Sequence, residues 1–267
     1  MRGSLRFGVL GPLQIAGDHG PVRLDGVRLR GLLGMLLVHP GRIVSTTKLV
    51  AGLWDGTPPK SATANVRTYV YSLRKVLARA SGSVRLRSHP AAYELDLGDG
   101  ELDLVRFEEL SARGDLAARN GDFARAEVLL DRAAGLWRGR PLDGLDLGSW
   151  AKARLTALED RRWAVLSTWA DARLALGGYD DVIHRLRELA AEHPLRERTW
   201  AQLIAALYGA GRTGEALVTF VRVRELLVDE LGLEPGPELC ELHRAILDRR
   251  PLRELYRPRS GLAKGIA

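Results

Sequence analysis

The chain has 267 residues, 46% hydrophobic and 27% charged, the balance of a folded globular protein with one large domain or two ordinary ones. Its single cysteine, Cys240, excludes an internal disulfide, speaks against a thiolate metal site and makes a reducing cytoplasm the expected home. No stretch approaches the ~20 apolar residues of a membrane helix, and the first seven residues lack a signal peptide's apolar core. The net charge is +7, but residues 1–97 hold 14 Lys and Arg against 5 Asp and Glu, a net of +9, whereas residues 98–267 hold 26 against 28, a net of −2. A bias toward arginine codons would act along the whole chain, so the segregation points to a polyanion-binding module ahead of a near-neutral one.

Residues 4–24 read as short strands. Leu5, Phe7 and Val9 alternate, Gly11-Pro12 interrupts, Leu13 and Ile15 resume, and Asp18 to Gly20 turn the chain before Val22 and Leu24. Leu29, Leu32, Leu33, Leu36 and Leu37 then recur at helical spacing until His39-Pro40-Gly41. Ser45 is a candidate N-cap for a second helix bearing Leu49, Val50 and Leu53. Trp54 to Lys60, with paired Pro58 and Pro59, is expected to be a non-helical loop. A third helix is predicted from about Ser61 to Arg79, and Val84, Leu86, Tyr93, Leu95 and Leu97 around Ser88-His89-Pro90 predict a hairpin. Sheet, three helices and hairpin make a winged helix with an extra N-terminal sheet.

The third helix carries the most information. With Val66, Val70, Leu73 and Leu77 turned inward, Ala64, Thr68, Tyr71 and Lys75 fall opposite, flanked by Arg67 and Arg74 on one side and Asn65 and Ser72 on the other. Acids are absent from Pro58 to Pro90. An ordinary solvated helix mixes acids with bases, so this face is read as one that meets phosphates and base edges in a major groove. Thr46, Thr47 and Lys48 open the second helix and read either as a phosphate site or as plain capping residues. Arg85 and Arg87, alternating with Val84 and Leu86, are expected to point away from the core of the wing, toward DNA or toward solvent.

Beyond Gly98 no strands are expected, and helical patterns run to about residue 249. A weak repeat places Gly121-Asp122-Phe123 with Ala126, Gly177-Gly178-Tyr179 with Val182, and Gly211-Arg212-Thr213 with Ala216. The last two copies are 34 residues apart, the tetratricopeptide period, and the first lies 56 residues before the second, which leaves an insertion containing Trp137, Pro141 and Trp150. Trp137, Trp150, Trp163, Trp169 and Trp200 read as core, with a ligand pocket as the alternative. Residues 251–267 read as a loose tail. His19, His39, His89, His184, His193 and His243 form no metal-like pair, and neither HExxH nor GxSxG occurs. No catalytic, metal or cofactor residue is expected, and the function is not expected to be enzymatic.

The run Arg30-Gly31-Leu32-Leu33, His39-Pro40-Gly41-Arg42-Ile43-Val44-Ser45, Leu49 to Trp54, Pro58-Pro59, Tyr69-Val70-Tyr71-Ser72-Leu73-Arg74-Lys75-Val76-Leu77 and the opening Phe7-Gly8-Val9-Leu10-Gly11-Pro12-Leu13 resemble the Streptomyces antibiotic regulatory protein family. Asp229-Glu230-Leu231-Gly232-Leu233-Glu234-Pro235-Gly236-Pro237-Glu238-Leu239 resembles that family's bacterial transcriptional activation domain. The resemblance implies a mainly α fold with small β: an OmpR-type winged helix-turn-helix over 1–97, an all-α tetratricopeptide-like domain over 98–250 and the tail 251–267. It implies an activator of secondary-metabolite gene clusters that binds promoter direct repeats as two protomers on double-stranded DNA. It further implies contact with RNA polymerase and its sigma factor. Arg67, Thr68, Tyr71, Arg74 and Lys75 then lie on the recognition helix, and the loop Trp54, Asp55, Gly56, Thr57, Pro58, Pro59 and Lys60 faces polymerase. Asp55 would be repelled by phosphates, which fits a protein partner; a plain connector is the alternative. One departure is Ala91-Ala92-Tyr93, where the family usually has Gly before Tyr. No receiver segment occurs, so phosphorelay control is not expected, and no Gly-rich Lys-Ser/Thr phosphate loop occurs, so the family's large ATPase members are not matched. A repressor or architectural DNA binder, and a protein-binding scaffold, are the competing readings.

Overall fold

The computed structural model describes residues 5–17, 20–81, 85–98 and 101–252. The chain forms two compact units that interleave in sequence: Met1–Leu110 with Ala133–Arg162, and Ser111–Arg132 with Trp163–Ala267.

In the first unit, β1 (Arg6–Gly8), β2 (Gln14–Gly17) and β3 (Gly20–Pro21) make an antiparallel sheet in sequence order, with Phe7 opposite Ile15. Helices α1 (Val27–Leu37), α2 (Thr46–Trp54) and α3 (Ala62–Ser81) follow. A second sheet takes the order β4 (Val44–Ser45), β6 (Ala92–Leu95), β5 (Leu86–His89). The stripe Val66, Val70, Leu73 and Leu77 is fully buried, together with Leu32, Leu33, Leu36, Leu49 and Leu53 from α1 and α2. Each such side chain taken from water stabilises the unit by about 1.5–3 kcal/mol. Ser45 caps α2, its Oγ accepting the Lys48 N–H at 3.3 Å.

Several local expectations change. Strand β3 ends at Pro21, so Leu24 is buried from a coil that turns into α1 at Gly26, where φ is 94°. Trp54 is the last residue of α2, not the first of the loop; the helix is broken at Asp55, which takes a left-handed φ of 38°. Strand β4 was not expected, and two residues are too few to show a period. Leu102 forms an isolated parallel bridge with Phe7, so β structure extends past Gly98. Asp18, Val84 and the tail beyond residue 252 lie outside the described residues.

The insertion belongs to this first unit. The Asp103 carboxylate accepts the N–H groups of Val9 and Leu10 and pairs with Arg138 at 3.0 Å. Arg138 N–H donates to the Leu10 carbonyl at 2.7 Å, and Leu142 N–H to those of Val9 and Gly11. Phe107 and Trp137 meet edge to face at 5.3 Å, both buried. The sequence between two helical repeats thus completes the core around the N-terminal sheet.

The second unit is helical. It takes the end of α4 (Asp103–Arg119), most of α5 (Phe123–Ala134), the later part of α6 (Ser149–Ala175), then α7 (Tyr179–Glu192), α8 (Glu197–Gly209), α9 (Thr213–Leu231) and α10 (Pro237–Leu247). The three repeat glycines make the same turn. Gly121, Gly177 and Gly211 have φ of 78°, 77° and 77°. Each donates to the carbonyl three residues back, and the next residue donates to the one five back, the helix-ending motif that favours glycine. Five residues after each, Ala126, Val182 and Ala216 are completely buried. Helix α8 is buried continuously from Thr199 to Leu207 and packs on α7, α9 and α10. Its Gln202 amide donates to Asp171 Oδ1 at 2.6 Å and to the Ser167 carbonyl at 2.8 Å, while Arg198 grips both Asp171 oxygens. The carboxylate so buried is fully hydrogen-bonded, as burial of a charge requires.

Candidate nucleic-acid interface

Helix α3 projects Thr63, Ala64, Arg67, Thr68, Tyr71 and Lys75 into solvent. Tyr71 is 61% exposed, and the Lys75 ammonium lies 5.2 Å from its ring centroid. Thr68 Oγ1 donates to the Ala64 carbonyl at 3.2 Å, which leaves its lone pairs outward. Arg67 is exposed and, among the described residues, has no hydrogen-bonded partner. Beside it opens a concavity of about 450 Å³ whose lining includes Thr46, Thr47, Thr63, Arg67, Ser88 and His89 and no carboxylate. Three elements converge there: the N-terminus of α2, the first half of α3 and the β5–β6 turn. The α2 terminus adds a positive dipole end suited to an anion, although its Thr46 and Lys48 N–H groups are already taken by the Ala91 carbonyl and Ser45 Oγ.

The turn of the wing is tied to α2. Thr46 N–H donates to the Ala91 carbonyl at 2.8 Å. Ala91 has a φ of 53°, a left-handed conformation in which an L side chain is strained. Ala92, directly before Tyr93, pairs with both His89 and Ser45 within the sheet and needs no glycine. The left-handed position is therefore one residue earlier than the family's usual glycine suggested.

Two expected cations point elsewhere. Arg74 donates through Nε and Nη2 to the Leu86 carbonyl at 3.0 and 2.9 Å, and through Nη2 to Ser88 Oγ at 2.7 Å. It fastens β5 to α3. Arg85 was expected to point outward, but its side chain is only 19% exposed and is paired with the buried Glu101 carboxylate. Arg87 does point outward, with an exposed partner, Asp96, at 2.6 Å. A pair so exposed contributes about 0–1 kcal/mol, so it holds Arg87 only weakly. Sequence reasoning did not anticipate Thr63, Ser88 or His89 at the concavity; their signal lies only in the hairpin register that brings the turn beside α2.

Past α2, Asp55 through Lys60 are all exposed. Thr57 donates through N–H and Oγ1 to the Trp54 carbonyl, and Pro59 accepts the Ala62 N–H at 2.9 Å. Trp54 stacks on Tyr69 of α3 at 6.3 Å and carries the Arg28 guanidinium at 5.3 Å over its ring. The indole thus anchors the loop at its first end.

Residues 26–89 match the family described as transcriptional regulatory protein, C terminal, and residues 102–247 match the bacterial transcriptional activator domain. The chain belongs to the Streptomyces antibiotic regulatory protein family. It is 39% identical to the regulatory protein AfsR of Streptomyces coelicolor over 93% of its own length and 25% of that protein. It is 32% identical to the regulatory protein DnrI of Streptomyces peucetius, over 92% of this chain and 93% of DnrI. The structure of Mycobacterium tuberculosis EmbR in complex with a low-affinity phosphopeptide superposes with a TM-score of 0.88 and 36% identity, over 95% of this chain and 68% of that one. The chain spans only a quarter of AfsR. The EmbR structure thus shares this chain's winged helix followed by helices. The activator-domain match includes residues 133–162, which here belong to the same compact unit as the winged helix.

Proposed function

We propose that this chain is a sequence-specific DNA-binding activator of transcription. Two protomers bind direct repeats upstream of a promoter, with α3 in the major groove of each. The loop after α2 recruits RNA polymerase and its sigma factor. The regulated genes are those of a secondary-metabolite cluster, and the protein acts in the cytoplasm at the nucleoid. The observation that carries the reading is the acid-free outer face of α3, with exposed Arg67, which has no hydrogen-bonded partner among the described residues, beside the N-terminus of α2.

In this reading Arg67 reads a base edge, and Thr46, Thr47, Lys48, Thr68, Tyr71, Lys75 and Arg87 hold phosphates. Arg74 and Arg85 support the wing from within. The core that holds this surface extends beyond residue 97 to include 133–162.

The test is footprinting of the purified protein on the promoter beside its own gene. Two protected repeats on one face of the duplex are expected, about 10–10.5 base pairs apart. Arg67→Ala should cost roughly 1–3 kcal/mol on that site and little on random DNA. Protection that ignores sequence, or an Arg67→Ala variant that protects normally, would overturn the proposal.

A further inference from the structure

Trp150 lies far along the sequence from the DNA-reading helices, inside the stretch matched by the activator domain. Its indole nevertheless stacks on His39 after α1, with ring centroids 4.0 Å apart and planes 11° from parallel. The Lys48 ammonium in the first turn of α2 lies 5.2 Å from the same indole's centroid. The turn after α1 and the first turn of α2 therefore each present a nitrogen-bearing side chain to one aromatic ring.

The backbone delivers Trp150 there by a close approach. Gly148 N–H donates to the Gly52 carbonyl at 2.9 Å. A Cβ on Gly148 would stand 2.7 Å from the Ala51 carbonyl oxygen and 2.9 Å from the Gly52 Cα, so only glycine fits. The Gly148 carbonyl then accepts the N–H groups of Ala151 and Lys152, which starts α6. Arg154, one turn on, donates to the Val38 carbonyl at 3.3 Å and holds Glu108 at 2.7 Å. The entry of α6 is thus fixed to the ends of α1 and α2, with Trp150 between them.

We propose that Trp150 is a positioning residue for phosphate binding by Lys48. A lysine stem is flexible and its ammonium is free to point in many directions. The π-face attracts that ammonium and narrows its range, so the charge is held at the first turn of α2. A phosphate arriving there meets a cation already in place, and less conformational freedom is lost on binding. A segment assigned by sequence to activation thereby contributes to DNA affinity. The inference rests on the reading of Lys48 as a phosphate contact.

The experiment measures affinity of the full chain for a mixed-sequence duplex as a function of salt. Each neutralised phosphate contributes a log–log slope of about −0.9. Lys48→Ala is expected to reduce the slope by about one such contact. Trp150→Leu, which keeps apolar bulk but removes the π-face, should lose a large part of the same increment, and Trp150→Phe should lose little. The double variant Lys48→Ala, Trp150→Leu should fall no further than Lys48→Ala alone. If Lys48→Ala leaves the slope unchanged, the phosphate reading of Lys48 and this proposal both fall. If Lys48→Ala lowers it and Trp150→Leu does not, or the two losses add, Lys48 binds phosphate without help and only the proposal is overturned.

Discussion

Arg74 grips the carbonyl oxygen of Leu86 with two of its nitrogens, at 3.0 and 2.9 Å. The charged face of α3 is therefore divided between two tasks. Arg67 and Lys75 face solvent, while Arg74 binds the helix to the hairpin that flanks it. Hydrogen bonds from a charged group contribute about 1.5–3 kcal/mol. Arg74→Ala should lower the thermal midpoint and weaken operator and random DNA alike, because the wing loses its register against α3. Arg74→Lys should rescue poorly, since an ammonium cannot reproduce the guanidinium fork. Thermal melts with parallel binding curves check this; a stable Arg74→Ala variant with selective loss at the operator would make Arg74 a base reader.

Ala91 offers a stabilising change. Its left-handed φ of 53° strains an L residue but not glycine. Part of the gain from Ala91→Gly is lost to the greater freedom of the unfolded chain. A net gain of about 0.5–1 kcal/mol is expected, or roughly 1–3 °C in midpoint. The Thr46 N–H to Ala91 carbonyl bond should persist, so DNA affinity should hold. A lower midpoint would show that the turn does not need the left-handed conformation.

How much of this was legible in the sequence depends on the range of the signal. Val66, Val70, Leu73 and Leu77 announce a buried stripe by their period alone, and all four are buried. Gly121, Gly177 and Gly211 announce equivalent turns because a left-handed residue after a helix favours glycine. Trp150 carries no such mark: its partners His39 and Lys48 lie about a hundred residues away in sequence, and nothing local distinguishes it from a core tryptophan. Arg74 and Arg67 occupy neighbouring angular positions on one helix, and only the placement of β5 separates a structural cation from an exposed one. Arg85 departs from its expected direction for a related reason: strand alternation points it away from the core, but Glu101 from a later segment covers that side.

His39 gives stability a pH dependence. Burial lowers its pKa below the usual histidine value, and the nearby charges of Arg154, Arg42 and Lys48 act in the same direction, against the bond to the Met35 carbonyl. His243, stacked on Phe220 at 3.9 Å, is also lowered by burial. A base with a depressed folded pKa takes up its proton in the unfolded chain first. Its contribution is complete above the unfolded pKa of about 6.5 and is lost as pH falls through the lower folded value. Denaturant midpoints should therefore drop from pH 7 toward pH 5. His39→Phe, which keeps a ring against Trp150, should flatten part of that slope and leave the share of His243. An unchanged slope would remove His39 from the account.

The last prediction separates activation from binding. Asp55 ends α2 in a left-handed conformation with φ of 38°, followed by Gly56 at 92° and the paired Pro58 and Pro59. The chain leaves the helix abruptly, and Trp54 pins the departure point against Tyr69 and Arg28. Prolines restrict the unfolded chain, so a partner that binds this loop has less entropy to remove. Asp55 is the one acid between Asp25 and Glu94, on a face otherwise suited to an anionic duplex. A carboxylate there repels phosphate, and its place at the loop's start suits a basic protein surface. Asp55→Asn removes the charge while keeping a residue that tolerates the left-handed conformation. The footprint should be unchanged or slightly tighter, and transcript yield with purified polymerase should fall several-fold at full occupancy. Pro58→Gly should act in the same direction by loosening the loop. Full transcription from both variants at saturated DNA would deny the loop any part in recruitment and move the search for the polymerase contact to the helices of the second unit.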